Sequence, residues 1–171
     1  IQRIDAAFKK MDIPKSQVDI LINLNPADLP KDGTWLDLPI AIIALQAAGI
    51  LPDLPEVSEK KFMLVGEVGI HGEIRRVPGA LSIACMAVPG QAIILPEGNE
   101  KEAALIMAAP GHEGCAICPV STLEEVIEYF QGKRKIRNAL GDKIEFEPFV
   151  PKAPDIGKIK GQKKAKEAAL I

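Results

Sequence analysis

His112, Cys115 and Cys118 have the side chains and the close spacing that a metal or redox site would need. A structural zinc ion takes four ligands, and the sequence offers no fourth candidate nearby. Cys115 and Cys118 fall in an apolar run typical of a β-strand, where residues three apart point to opposite faces of the sheet. A Cys-x-x-Cys redox pair stands more often at a helix start. We therefore predict buried or half-buried thiols and no metal.

A carboxylate-rich loop precedes a strongly apolar segment that begins near Leu36. Asp28, Asp32 and Asp37 could together hold a hard cation. Asp is also an ordinary residue of turns and helix caps, and we favour that interpretation, with Asp37 as the N-cap of the next helix. The sequence therefore predicts turns and a cap here rather than a metal site.

Glycine patterns that bind nucleotides are missing from the sequence. Gly66, Gly69 and Gly72 lack the dinucleotide-binding spacing and precede a strand rather than a helix, so we interpret them as turn glycines. His71 falls at the tip of this turn and is expected to be exposed. Residues 157–164 contain Gly and Lys but neither the spacing nor the hydroxyl of the phosphate-binding G-x-x-x-x-G-K-[ST] loop. We expect no cofactor-binding residues in this chain.

Helices and strands alternate along the chain, with one hairpin among them. A predicted helix over 36–49 is so apolar that it should be buried on nearly all sides. Ser121, with Glu124 three residues later, predicts a capping box for another helix. The remaining helices are predicted over 1–11, 80–88, 100–109 and 161–171, and the strands over 18–24, 62–68, 73–77, 92–95 and 115–120. This alternation predicts an α/β (α+β) fold, a mixed sheet with flanking helices.

Composition indicates one globular domain with an appendage. The chain has 171 residues, of which 47% are hydrophobic and 26% are charged. No apolar stretch approaches the ~20 residues of a membrane-spanning helix, and three cysteines are too few for a disulfide scaffold, which fits the cytoplasm. Because the sequence opens on Ile1 without a signal peptide, we expect a fragment of a longer protein.

Charge is divided unevenly between the two parts of the chain. Residues 1–132 carry 10 Lys/Arg against 18 Asp/Glu, whereas residues 133–171 carry 11 against 5. A basic tail on an acidic body can contact nucleic acid, although it is more often a solvated linker. Both interpretations stay open at this point.

Several motifs, in order along the chain, resemble the magnesium-chelatase-like AAA+ ATPases of the ComM type. The matching stretches are Asn23 to Gly33 with Asp37 to Ala41, Val65 to Val68 with Gly72 to Arg75, Val77 to Leu81, Ile94 to Asn99, and Asp155 to Leu170. The resemblance implies an N-terminal domain over 1–132 that is similar to the Lon proteolytic domain, of the ribosomal S5 domain-2 type. It further implies a linker over 133–154 and the truncated start of an AAA+ ATPase domain over 155–171.

Lon-type proteases, by the same resemblance, use a Ser nucleophile activated by a Lys. The Ser would follow a segment like Pro30 to Gly33, and the Lys would lie a few residues into the helix that starts near Gly79. This chain has no Ser between residues 17 and 57, where Thr34 carries the only nearby hydroxyl. It has no Lys or Arg from residue 77 to residue 100, and Ser82 stands near the Lys position. We therefore predict no catalytic residues in this domain.

The resemblance also implies what the full-length protein does. It would form a hexameric ring, hydrolyse ATP with Mg²⁺ and move branched DNA during natural transformation, without a membrane partner. The alternative is a remodeller of a protein or metal-insertion complex, as the magnesium-chelatase name suggests. Whether this domain serves assembly, DNA contact or partner contact stays open.

Overall fold

The computed structural model describes residues 2–13, 33–54, 61–142 and 160–168. The elements in chain order are α1 Gln2–Lys10, α2 Asp37–Ala47, β1 Phe62–Leu64, β2 Glu67–Val68, β3 Ile74–Arg75, α3 Ala80–Ala84, β4 Ala92–Pro96, α4 Glu100–Met107, β5 Ala116–Val120, α5 Leu123–Phe130 and α6 Lys163–Ala168. The predicted strand over 18–24 lies outside the described residues. Among the helices described, none has the length and apolar character needed to cross a membrane.

Three strands form a parallel sheet in the order β1-β4-β5. Met63 lies opposite Ile93, and Ile94 lies opposite Cys118. The other two strands, β2 and β3, pair antiparallel as a separate small sheet, so the described strands form two sheets rather than one mixed sheet. Helices cover the parallel sheet, and the predicted α/β class is confirmed.

The predicted strand over 62–68 is wrong as a single element, because the chain changes sheet within it. Val65 still donates to the carbonyl of Ile94 at 3.0 Å, but Gly66 donates to the carbonyl of Trp35 at 2.9 Å. A Cβ on Gly66 would lie 2.8 Å from Cγ2 of Ile74, so only glycine lets β2 turn away so closely. The sequence pattern could not show this break, since Trp35 is distant in the chain.

Two apolar clusters fill the two faces of the parallel sheet. Cluster one joins Ile94 and Cys118 to α1, α2 and α5, and cluster two joins Ile93 and Ile117 to α3 and α4. Neighbouring residues of β4 thus point to opposite faces, as alternation along a strand requires. A strand of a parallel sheet that is covered on both faces has an almost continuously apolar sequence, which explains why β4 contains no polar residue.

Helix α2 differs from its prediction in two details. Its N-cap is Leu36, which makes no side-chain cap, and Asp37 is the first helical residue rather than the cap. Leu45 is 0% exposed, but Ile43 is 55% exposed, so the helix is not buried on nearly all sides. The prediction assumed that every apolar side chain of the helix would be packed against other residues. No described residue packs over the side of α2 that carries Ile43.

Helix α5 begins one residue later than predicted. Thr122, not Ser121, is the N-cap, and its hydroxyl accepts a hydrogen bond from the backbone N–H of Glu125 at 3.2 Å. The Glu125 carboxylate accepts in return from the backbone N–H groups of Thr122 and Ser121, at 3.4 and 2.7 Å. A capping box is therefore present, shifted from the Ser121–Glu124 pair to its neighbours.

Residues 133–142, which we call the strap, lie against the outer edge of β5. Asn138 Oδ1 accepts from the backbone N–H of Ile117 at 3.0 Å, and the N–H of Ala139 donates to the carbonyl of Ile117 at 2.8 Å. Ala139 is 1% exposed. The strap and Pro119, which has no N–H to offer, together cover this edge of the sheet. The predicted domain boundary at 132 and linker over 133–154 stay predictions.

Candidate functional site at the carboxyl edge of the parallel sheet

The carboxyl ends of β1, β4 and β5 meet at one edge of the parallel sheet. Most of the described motif residues follow these ends: Val65 to Val68 come after β1, and Glu97 to Asn99 come after β4. The N–H of Ile74, in the hairpin, donates to the carbonyl of Ser121 after β5 at 2.8 Å. Ligands of open α/β sheets bind in the crevice at this edge, which makes it the candidate site.

Thr34, the only hydroxyl near the expected nucleophile position, lies here and is already engaged. Its Oγ1 donates to the carboxylate of Glu67. Glu67 lies opposite Arg75 in the hairpin register, with Oε1 3.7 Å from a guanidinium nitrogen of Arg75. The hydroxyl thus binds a carboxylate that has its own counterion, which is not the Ser–Lys arrangement of a nucleophile and its base.

Ser82, which stands near the expected Lys position, lies elsewhere in the fold. It is exposed on α3, whose buried residue Ala84 belongs to cluster two. Thr34 instead precedes α2, which packs into cluster one. No hydrogen bond between these two hydroxyls is seen in the described part of the chain, and neither contacts an amine there.

Asp37 joins three elements at the start of α2. Its Oδ2 accepts from Nε and Nη2 of Arg3 on α1, at 3.1 and 2.8 Å, and from the backbone N–H of Val68 on β2 at 3.4 Å. Asp37 is 8% exposed, so a charge partner is needed to hold it there. These contacts give Asp37 a structural role at the start of α2, while Asp28 and Asp32 lie outside the described residues, so the prediction of turns rather than a metal site stays a prediction.

Asn99 is a buried polar residue that sequence reasoning used only as part of a motif. It is 1% exposed. Its Oδ1 accepts from the backbone N–H of Val77 at 3.0 Å, and its Nδ2 donates to the carbonyl of Val77 at 2.9 Å. The side chain thus replaces a missing strand partner for the segment that leads into α3. The only signal in the sequence is an amide placed directly after an apolar strand.

A small cleft opens between the ends of β4 and β5 and the strap. Its volume is about 280 Å³, and it is lined by Glu97, Pro119, Ser121, Glu125, Arg134, Lys135, Ile136 and Arg137. Arg134 donates to the carboxylate of Glu125 at 2.9 Å, so these two opposite charges pair with each other. Pockets for organic ligands are larger, at about 300–1,000 Å³, and mostly apolar, so this charged cleft does not resemble one.

The hairpin between β2 and β3 closes through its glycines. Gly72 has a φ of +85°, which favours glycine, and its N–H donates to the carbonyl of Gly69 at 3.0 Å. Hydrogen bonds from its own backbone N–H, then from Arg75 and the N–H of His71, hold the pKa of Glu73 below its usual value. His71 is exposed at the tip, as predicted.

The three residues with metal-ligand spacing do not share one environment. Cys115 belongs to cluster two and Cys118 to cluster one, so the two thiols occupy opposite faces of the sheet, as their spacing predicts. Burial raises the pKa of Cys118, while Cys115 Sγ lies 3.2 Å from the carbonyl of Val88. Both ring nitrogens of His112 are buried without a hydrogen-bond partner among the residues described. Across those residues, no three His, Cys, Asp or Glu side chains converge as metal ligands would.

Comparison with known proteins identifies the chain's relatives. The model of the family described as "ChlI: Subunit ChlI of Mg-chelatase" matches residues 1–99. The chain is 42% identical to the YifB protein of Escherichia coli K12 over 118 residues, which are 68% of this chain and 22% of that protein. It is 39% identical to the YifB protein of Salmonella typhimurium over 122 residues, 71% of this chain and 22% of that protein.

A further relative aligns along nearly the whole sequence. The chain is 32% identical to the competence protein ComM of Haemophilus influenzae over 174 aligned residues, covering 99% of this chain and 32% of that protein. The chain therefore spans only about a fifth to a third of the length of these relatives, 22% to 32%. The family match covers more than half of the chain and includes the carboxyl-edge motifs up to Asn99. The chain thus belongs to the family of the ChlI subunit of Mg-chelatase, in which it fits a ComM-type, magnesium-chelatase-like N-terminal domain.

Proposed function

We propose that this chain is a non-catalytic domain of an AAA+ ATPase, and that the full-length protein acts as a DNA branch-migration motor in natural transformation. The observation that carries the proposal is the alignment with a competence protein over 99% of the chain. That relative is about three times longer, since the aligned part is 32% of its length. In this proposal the ATP- and Mg²⁺-binding machinery belongs to the remaining part of the protein.

The carboxyl edge supports a structural rather than a catalytic role. Thr34 is held by Glu67, Asp37 by Arg3 and Asn99 by Val77, so each of these polar groups already has a partner within the fold. A catalytic site instead leaves a nucleophile and a base poised towards substrate. The motif residues are thus explained by the need to hold α1, α2, the hairpin and α3 around the ends of the parallel strands.

Ring assembly and DNA contact are the partners that we propose for the full-length protein. Homo-oligomerisation into a hexameric ring follows from the AAA+ resemblance. DNA contact is favoured by the basic composition of residues 133–171, which carry 11 Lys/Arg against 5 Asp/Glu. In the strap, Arg134 is paired with Glu125 and Arg137 with Asp142, so two of its four basic side chains already have a carboxylate partner. We therefore assign the motor's DNA contact to the full-length protein and not to the strap alone.

A second candidate function comes from the family description itself. The family is that of a subunit of Mg-chelatase, and its model covers residues 1–99. The full-length protein would then remodel a protein or metal-insertion complex instead of DNA. The two functions share the ATPase and differ in the substrate.

The experiment is branch migration by the full-length protein, with and without residues 1–132. A labelled four-way DNA junction is incubated with protein, Mg²⁺ and ATP, with a linear duplex and a non-hydrolysable nucleotide as controls. We expect ATP-dependent conversion of the junction by the full-length protein. ATP hydrolysis without any junction conversion would contradict the DNA function and favour the remodeller. Unchanged conversion after deletion of 1–132 would restrict this domain to another role.

A further inference from the structure

The first half of the strap is held to α5 by ion pairs that solvent reaches. Arg134 donates to the carboxylate of Glu125 at 2.9 Å and to that of Glu128 at 3.4 Å. The side chain of Arg134 is 47% exposed. Ion pairs this exposed contribute little to stability, and added salt weakens them further.

Arg137, near the middle of the strap, also faces carboxylates. It donates to Asp142, at the far end of the strap. This hydrogen bond, together with the nearby charges of Asp142, Glu100 and Glu97, raises the pKa of Arg137. Glu100 and Glu97 belong to the body of the fold, at the start of α4 and just after β4. The strap therefore faces acidic groups of the body around Arg137 as well as around Arg134.

The second half of the strap is held by two backbone contacts and a few apolar side chains. The N–H of Ile117 donates to Asn138, and the N–H of Ala139 donates to the carbonyl of Ile117. Ile136 packs against cluster one, whereas Ala139 and Leu140 pack in cluster two, so the strap passes around the edge of the sheet from one face to the other. Ala139 is the only buried residue of the strap. A segment with so few buried contacts opens at a lower free energy than the whole fold.

Opening would change the charge that the strap presents. Its sequence begins KRKIR, with four basic residues in five positions. In the closed position these cations share their surface with the carboxylates described above, which repel a polyanion. Only one of those carboxylates, Asp142, moves with the strap, so the open strap carries four positive charges and one negative charge. A ligand that binds the open state better shifts the population towards it.

We propose that the strap is releasable, and that its four basic side chains contact the phosphate backbone of a nucleic acid only after the strap has left the edge of β5. Clustered Lys and Arg side chains are the groups with which proteins contact that backbone. The choice of nucleic acid as the polyanion rests on the proposed function, whereas the release of the strap does not. Because the coupling is reciprocal, DNA favours the open strap by the same factor as opening favours DNA binding.

Amide hydrogen exchange of the 171-residue chain, followed by NMR, measures the opening. The N–H groups of Ile117 and Ala139 bond across the contact between the strap and β5. The N–H of Val65, which donates to Ile94 at 3.0 Å between β1 and β4, is the internal control. We expect Ile117 and Ala139 to share one protection factor, well below that of Val65, because a single local opening exposes both.

Two substitutions in the strap test whether its halves open together. Arg134→Gln touches neither reporter amide, yet it should speed the exchange of Ile117 and Ala139 about threefold, since it removes the ion pairs with α5. Lys135→Gln removes the same charge from a side chain for which no ion pair is seen among the described residues. This control should leave both exchange rates unchanged.

A short DNA duplex then serves as the polyanion. We expect the duplex to speed the exchange of Ile117 and Ala139 and to leave Val65 unchanged. The double variant Lys133→Gln/Lys135→Gln should bind the duplex more weakly and lose this acceleration, because it removes strap cations without removing an ion pair to α5.

A neutral substitution separates release from charge. Asn138→Ala removes the acceptor of the Ile117 N–H and changes no charge, so it should tighten duplex binding about threefold by raising the open fraction. Ser82→Ala, which removes an exposed polar group on α3, is the matched control and should bind the duplex as the parent chain does. Circular dichroism checks that both variants are folded.

Several results would overturn the proposal: no duplex binding by the chain, exchange of Ile117 and Ala139 that DNA slows or leaves unchanged, or Asn138→Ala binding no tighter than the parent. None of these measurements uses ATP or a DNA junction. Junction conversion by a full-length protein whose strap stays closed on DNA would keep the proposed function and remove this inference. Release of the strap by DNA in a protein that converts no junction would do the reverse.

Discussion

Two asparagines illustrate at the residue scale how the same side chain serves different needs. Asn99 uses both its oxygen and its nitrogen on the backbone of Val77 and is 1% exposed. Asn138 is exposed and uses only its oxygen, which accepts from Ile117 and Leu140, each at 3.0 Å. Substitution by Asp keeps the acceptor and removes the donor, so the two positions should respond differently.

We predict that Asn99→Asp lowers the free energy of unfolding by about 2–4 kcal/mol, because it leaves the Val77 carbonyl unpaired and buries a charge. Glu102, whose carboxylate lies 3.4 Å from Asn99 Nδ2, would add repulsion. Asn138→Asp should change the stability by less than about 0.5 kcal/mol, as a surface change does. Urea unfolding of both variants measures the difference. Equal losses would mean that the Asn99 amide is not a required partner.

Cys115, directly before β5, and Cys118, within β5, give a second prediction at this scale. Because Cys115 and Cys118 face different apolar clusters, they cannot bind one zinc ion together. Elemental analysis of the protein should find no stoichiometric zinc. About one zinc per chain, lost in Cys115→Ser, would contradict this geometry. The spacing of the thiols was enough to predict their opposite orientation, because alternation in a strand is local.

At the scale of elements, α2 is the helix on which cluster one depends. Leu45 is fully buried in that cluster, and Ile43, two residues earlier, is 55% exposed. We predict that Leu45→Asp prevents folding, because it places an unpaired charge among aliphatic side chains, whereas Ile43→Asp leaves the fold intact. Urea unfolding and circular dichroism compare the two. If Leu45→Asp matches the parent protein, α2 is not a core helix.

The cap of α5 supplies the other prediction for an element. Thr122→Ala should cost about 1 kcal/mol of unfolding free energy, since it removes the cap of the Glu125 N–H. Ser121→Ala removes only a hydroxyl that donates to Glu97 on the surface, so it should cost less. Equal effects would return the cap to Ser121. Thermal unfolding of the two single variants decides between these residues.

The cap also shows what sequence can predict about an element. The residues Ser121, Thr122, Glu124 and Glu125 fit the capping box in two registers, and the pattern alone does not choose between them. The backbone conformation identifies Thr122 as the N-cap, because this residue has the extended φ of −137° and ψ of 154° that are typical of a cap. The existence of a helix was therefore predictable from local pattern, while its first residue depends on how β5 ends.

For the whole molecule, alternation of helix and strand was sufficient to predict the α/β class. The departure of β2 from the parallel sheet was not, because it depends on the Trp35 carbonyl and on the space around Gly66. The position of the strap was not predictable either, since its four basic residues are typical of a solvated linker, and the described contacts that hold it to β5 are those of Asn138 and Ala139. Long-range backbone pairing of this kind leaves no periodic pattern.

The whole sequence also distinguishes this chain from the longer ATPase of which we propose it is a part, because the chain lacks a nucleotide-binding pattern. A nucleotide site needs a glycine-rich turn for the phosphates, a Lys for their charge and a Ser or Thr for Mg²⁺. The sequence contains no G-x-x-x-x-G-K-[ST] pattern. The basic residues after 133 attract nucleotide only through charge, and such contact weakens as salt screens it.

Calorimetric titration of this chain with Mg²⁺-ATP, at an ionic strength of ~0.15 M, tests the account most directly. The account predicts no saturable heat of binding and no ATP hydrolysis by the chain alone. The full-length protein under the same conditions should bind and hydrolyse ATP. A micromolar, Mg²⁺-dependent ATP site on this chain would contradict the account.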